Sequence, residues 1–146
     1  MKIVKALKQK NRLAGEVASL QEVLKRENSR RSDNPSKIVV ETVTSQLKLK
    51  REELIDLKGR ISKASAGIAS KLARLEETKQ EKNYFAGLPT REGTEVAFVG
   101  RDQEKLEYVW TAYYNREGVD KKLAELQEEI NNLQDEVDTF NASTDV

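Results

Sequence analysis

Apolar residues recur along this chain at alternating intervals of three and four. That is the period at which one stripe of an α-helix faces a partner helix. Ile3, Ala6, Lys10, Leu13, Val17, Leu20 and Leu24 form the first series, with Lys10 its one polar member, and predict a helix over about 2–29. A polar run from Asn28 to Asn34 and then Pro35 stop it, and Ser36 is placed to cap the next helix. The second series is Val40, Val43, Leu47, Lys50, Leu54, Leu57, Ile61, Ala64, Ile68, Lys71 and Leu75, predicting helix over about 37–82. Within it, Ser62–Ser70 is rich in small, weak helix formers and contains Gly67. The apolar phase runs through unbroken, so one long helix and a pair broken or kinked near 64–67 both fit. The third series, Val119, Leu123, Leu126, Ile130, Leu133, Val137 and Phe140, has no polar member and predicts a helix over about 118–141.

Between the second and third series the pattern changes. Thr94–Val99 and Glu107–Tyr114 are β-branched and aromatic, with Gly100 to Gln103 between them, which predicts a β-hairpin insert over about 93–115. Alternation of Leu106, Tyr108, Trp110, Ala112 and Tyr114 predicts an aromatic strand face laid on the helices. Leu106, Val109, Trp110, Tyr113 and Tyr114 also fit one helical face, so a helical insert stays open. A lone hairpin is marginal in water and needs helices or another subunit to cover it. The expected fold is therefore mainly α: an antiparallel bundle or coiled coil of three to four long helices, in one domain over 1–146, with a small hairpin before the last helix.

Composition narrows what such a frame can do. Of 146 residues, 37% are apolar and 35% charged, a balance that fills a narrow seam between helices but not a thick layered core. Net charge is +1, yet it is unevenly placed: residues 1–91 carry 21 Lys/Arg against 11 Asp/Glu, and residues 116–146 carry 3 against 9. An acidic last helix is expected to lie against the basic front part, within one chain or between chains. Lys48, Lys50, Arg51, Lys58, Arg60 and Lys63 form a basic stripe on the second helix that suits phosphate contacts or, more simply, a salt-bridged face. The first residues lack the apolar core of a secretory signal, and no run approaches a membrane span, so the expected location is the cytoplasm.

The chain has neither Cys nor His, which removes disulfides, thiolate zinc sites, Cys nucleophiles and imidazole bases. The paired carboxylates Glu52/Glu53, Glu76/Glu77 and Glu128/Glu129 fall on polar heptad positions and read as solvated faces with nearby lysines. No phosphate-binding loop, dinucleotide glycine pattern or calcium loop is present. No enzyme activity, metal or cofactor is expected.

What remains is the aromatic insert. Tyr84, Phe85, Phe98, Tyr108, Trp110, Tyr113 and Tyr114 lie near Arg91, Arg101 and Arg116 in sequence, and aromatic residues with Arg make both interface hot spots and stacking sites. Arg101, Trp110, Tyr113, Tyr114 and Arg116 are the candidate ligand or interface residues. Leu54, Leu57, Ile61, Leu123, Leu126, Ile130, Leu133 and Val137 are the candidate helix-seam interface. Two functions follow. One is a non-enzymatic structural or interaction protein that assembles into a homo-oligomer, with a protein partner as a further option. The other is an oligomeric binding module whose Arg/aromatic insert holds a nucleotide or nucleic acid.

The order of features also resembles a known family. An opening KALKQKNRLAGEVASLQEVLKRE leads to a Pro turn, then ELIDLKGRISKAS, then SKLARLEETKQEKNYFAGL, and the chain finishes with GVDKKLAELQEEINNLQDEVDTFNAST. This is similar to the septicolysin-like family of small bacterial helical proteins. Leu54, Ile55 and Ile61 match its second helix, Leu72 and Arg74 its third, and Asp120, Leu126, Val137 and Asn141 its last. Ser65 stands where the family tends to have Asn, and Ala142 where it has Trp. The resemblance implies a multi-helix bundle with a small extended insert, and the family's name implies a membrane-active, cytolysin-like role.

Overall fold

The structure, a computed structural model, describes all 146 residues and is mainly helical with one small antiparallel sheet. In chain order the elements are α1 (Ile3–Glu27), α2 (Val40–Ala64), a 3-10 segment (Ser65–Ile68), α3 (Ala69–Ala86), β1 (Gly93–Val99), β2 (Glu104–Trp110) and α4 (Arg116–Ser143). They form two compact units, Met1–Ala69 with Asp138–Val146, and Ser70–Val137. No helix is long and apolar enough to cross a membrane.

In the first unit, α1 and α2 run antiparallel through the connection at 28–39. The first heptad series supplies the inner face of α1: Ile3, Ala6, Leu13 and Val17 are buried, and from α2 so are Val43, Leu57 and Ile61. Ala6, Leu13, Leu57 and Ile61 form one cluster, with Leu7, Leu54 and Val146 packed on it. Burial of a Leu or Ile side chain contributes about 1.5–3 kcal/mol, so these few positions carry much of the unit's stability. Lys50, a polar member of the second series, meets Glu16 of α1 at 3.2 Å and Glu53 at 3.5 Å. The Glu16 carboxylate beside it, first through a hydrogen bond and then through its charge, holds the Lys50 ammonium above its ordinary pKa. Exposed pairs of this kind add little stability, but they fix which faces meet.

The α1–α2 connection corrects the expected cap. Ser36 does not start α2, which begins at Val40 with Val39 as a cap residue that makes no side-chain bond. The Ser36 hydroxyl instead donates to Glu27 Oε2 at 2.9 Å and accepts the Ile38 N–H at 3.3 Å. With that oxygen committed, and with β-branched Ile38 and Val39 favouring extended backbone, the helix starts three residues later than expected. The Ser36 hydrogen bond, then that of Arg26, lowers the Glu27 pKa.

The second helical series is interrupted without a loop. Ser65–Ile68 forms a 3-10 segment, and helix resumes at Ala69 and runs to Ala86, beyond the expected end at 82. Small side chains weaken the α-helix here, and a tertiary contact fits the result. A Cβ on Gly67 would stand 3.5 Å from the Phe140 ring, so the bare backbone lets that ring lie close. The two chain ends close the unit. The Ile3 N–H donates to Thr144 O at 2.9 Å, the Val146 N–H to Met1 O at 2.8 Å, and Lys2 Nζ to Asp145 at 2.7 Å.

Lys2, first through this hydrogen bond and then through its charge, lowers the Asp145 pKa; Asp145 thus joins Glu27 in titrating below its ordinary value in the folded state. A carboxylate with a depressed folded pKa contributes stability that is present above its unfolded value, about 4, and lost as pH falls through the folded value. Thermal midpoints measured by circular dichroism should therefore be level between about pH 7 and 5 and fall below about pH 4. Asp145→Asn should be less stable than the parent at pH 7, and the gap should close on acidification. A gap of equal size at pH 7 and pH 3 would contradict this.

In the second unit α3 and α4 run antiparallel. Lys71 reaches Glu136 at 3.0 Å, Arg74 reaches Glu129 at 3.0 Å, and Lys82 donates to Gln127. These contacts join basic side chains of α3 to the acidic last helix. Val119, Leu126, Ile130, Leu133 and Val137 are buried along α4, while Leu123 is half-buried. On α3, Leu75 and Thr78 are buried; the Thr78 hydroxyl donates to Arg74 O at 2.7 Å, which satisfies a polar group in an apolar seam. Helix α4 begins at Arg116, two residues before the expected start, because Asn115 Oδ1 accepts the Gly118 N–H at 2.9 Å as an N-cap.

Candidate functional site

The insert is a hairpin, and the helical alternative for 106–114 does not occur. β1 pairs antiparallel with β2 from Gly93↔Trp110 to Val99↔Glu104, without a bulge. The strands are joined by Gly100–Gln103, where Gly100 takes φ +76° and Gln103 φ +53°. That left-handed backbone suits Gly and explains the turn's position. Paired residues share a face, so Tyr108, Leu106, Ala97 and Trp110 lie on one side, and Val96, Phe98, Thr94 and Val109 on the other.

The expectation that the aromatic strand face rests on helices is not met. Every residue of β2 is exposed, and Phe98 on the other strand is 62% exposed. Period-2 alternation marks a face that suits burial, but it carries no information about which chain covers it.

The aromatic group instead organises at the foot of the hairpin. Arg91 lies over the Trp110 ring, 4.7 Å from its centre, and pairs with Glu95 at 3.4 Å. The Trp110 indole N–H donates to Glu95 Oε2 at 2.8 Å, so the three side chains hold one another. Tyr113, Tyr114, Phe85 and Tyr84 follow as a chain of edge-to-face rings, with successive centres 4.9, 5.3 and 5.7 Å apart. Lys122 sits over Phe85 at 5.3 Å. A shallow cleft of about 320 Å³ is lined by Leu88, Pro89, Arg91 and Trp110 through Tyr114. Tyr113 is 95% exposed beside it.

Of the five candidate ligand residues, the structure brings together Trp110, Tyr113 and Tyr114. Arg101 lies in the turn at the other end of the hairpin, roughly 20 Å away at about 3.4 Å per strand residue. Arg116 opens α4 and pairs with Asp120 at 3.4 Å. The arginine that the fold places on Trp110 is Arg91, one of the three near the aromatics in sequence but not among the five candidates. Of the seam candidates, Leu57, Ile61, Leu126, Ile130, Leu133 and Val137 are buried, while Leu54 and Leu123 are half-buried. The basic stripe on α2 is partly neutralised: Lys50 is paired as described, and Arg60 meets Asp56 at 3.1 Å. No group of three or more acidic side chains converges as a metal cage requires.

Chemically, the site offers apolar and aromatic surface, with Arg91 paired to Glu95 and Lys122 set over Phe85. Exposed aromatic rings with an arginine among them are of the composition enriched at protein contacts. No family model, curated protein or solved structure matches the chain.

Proposed function

We propose that this chain is a non-enzymatic structural or interaction protein that self-assembles into a homo-oligomer. Its helices act as an antiparallel bundle of coiled-coil type that carries the hairpin as a contact surface. One observation carries the reading: the hairpin presents apolar residues on both faces, with Tyr108 50% exposed on one and Phe98 62% and Val109 74% exposed on the other. Exposed apolar surface gathered on one small element marks an interaction site. The anionic-ligand alternative has less behind it, since Arg91 and Arg116 are already paired with carboxylates.

Light scattering on a sizing column, at low and high salt, tests the assembly. A discrete oligomer is expected in both, because apolar contacts are not screened by salt. A monomer at both salt concentrations overturns the proposal.

A further inference from the structure

A two-stranded sheet has two free edges, and the two here differ. β2 carries Glu104, Lys105 and Glu107 along its seven residues, with Lys105 and Glu107 paired at 3.3 Å. Charged side chains of this kind are what proteins place on a strand to discourage edge pairing. β1 is also seven residues long, and its one charged residue, Glu95, is turned into its own hairpin by Arg91 and Trp110. The ladder has no bulge, and β1 has neither Lys nor Pro. Its outer edge is unpaired and carries no Lys, Pro or bulge to discourage pairing.

Its sequence is also self-complementary. If β1 meets a second β1 antiparallel about a two-fold at Val96, then Val96 faces Val96, Thr94 faces Phe98, Glu95 faces Ala97 and Gly93 faces Val99. No like charges oppose each other, and an aromatic side chain meets a β-branched one, a favourable cross-strand pair. The same full-length operation on β2 sets Glu107 against Glu107. Pairing through β1 also turns two marginal two-stranded hairpins into one four-stranded sheet, above the size at which a sheet stands by itself.

We propose that the free edge of β1 pairs antiparallel with β1 of a second copy of this chain, giving the strand order β2–β1–β1–β2 across a two-fold axis at Val96. This rests on the homo-oligomer reading above and names the contact that makes it.

The chain has no cysteine, so engineered thiols report cleanly. Val96 and Glu107 are ladder partners at the same height and on the same face, and differ only in which edge they adjoin. In the proposed sheet the two substituted Cα atoms of a Val96→Cys pair lie about 4.5–5.5 Å apart, within disulfide range. Those of a Glu107→Cys pair lie about 14 Å apart, three strand spacings. Each variant is first checked by circular dichroism for parental helicity and by light scattering for assembly, then oxidised mildly. Val96→Cys is expected to form a covalent dimer at least tenfold faster than Glu107→Cys. An oligomer in which Glu107→Cys cross-links as fast or faster overturns the β1 edge contact but leaves assembly standing. An oligomer in which neither cross-links does the same. A monomeric parent overturns both.

Discussion

Leu57→Ala should cost about 3 kcal/mol, within the roughly 2–5 kcal/mol seen when a buried Leu is truncated in a packed core. Leu57 is 1% exposed and lies in the cluster with Ala6, Leu13 and Ile61. Removing its isobutyl group deletes apolar burial and leaves a gap between two helices that can close only by moving α1 toward α2. In urea the midpoint should fall with no change of slope, since the surface exposed on unfolding is unchanged. Leu49, on the same helix but 65% exposed, provides the comparison, and Leu49→Ala should change stability by no more than about 0.5 kcal/mol. Equal effects from the two substitutions would mean that α2 does not present the Leu57 face to α1.

The second large effect is expected in the other unit. Leu126 is 4% exposed in α4, one heptad position along from half-buried Leu123. Leu126→Ala should lower stability by about 3 kcal/mol, and Leu123→Ala by about half as much, because less of its side chain leaves water on folding. Hydrogen exchange should report the loss locally. Amides of α3 and of α4 up to Val137 should lose protection before the α1–α2 pair does, as befits a chain with two compact units. Uniform loss of protection along the whole chain would instead mean that the units unfold together.

The helices were legible in the sequence because an apolar residue every three or four positions must be buried whatever covers it. The α4 series illustrates this: its seven members are all buried or half-buried. Termini were less legible, because capping depends on which hydroxyl or amide is free. Ser36 is a plausible cap by type but serves Glu27, and the cap of α4 is Asn115, three residues ahead of the expected start. Thr78 carries no apolar signal, and its burial depends on a hydrogen bond to Arg74 O that spacing alone does not reveal. The insert was legible as a hairpin from its β-branched and aromatic residues and its Gly turn. Its exposure was not, since alternation records only that a face suits burial. Arg101 shows the same limit for the site: closeness in sequence to Trp110 became distance once the strand was extended.

The clasp of Arg91, Glu95 and Trp110 also gives the molecule an intrinsic optical signal. Trp110 is the one tryptophan in the chain and is 44% exposed at the foot of the hairpin. Its indole has a guanidinium over the ring and a carboxylate at its N–H, so its emission is sensitive to local charge and to water together. Any surface that settles on that end of the hairpin removes water from the ring and shifts the emission toward the blue. Contact along the outer edge of β1 alone leaves the ring wetter and the shift smaller. Unlabelled protein thus distinguishes coverage of the hairpin's foot from pairing at its edge.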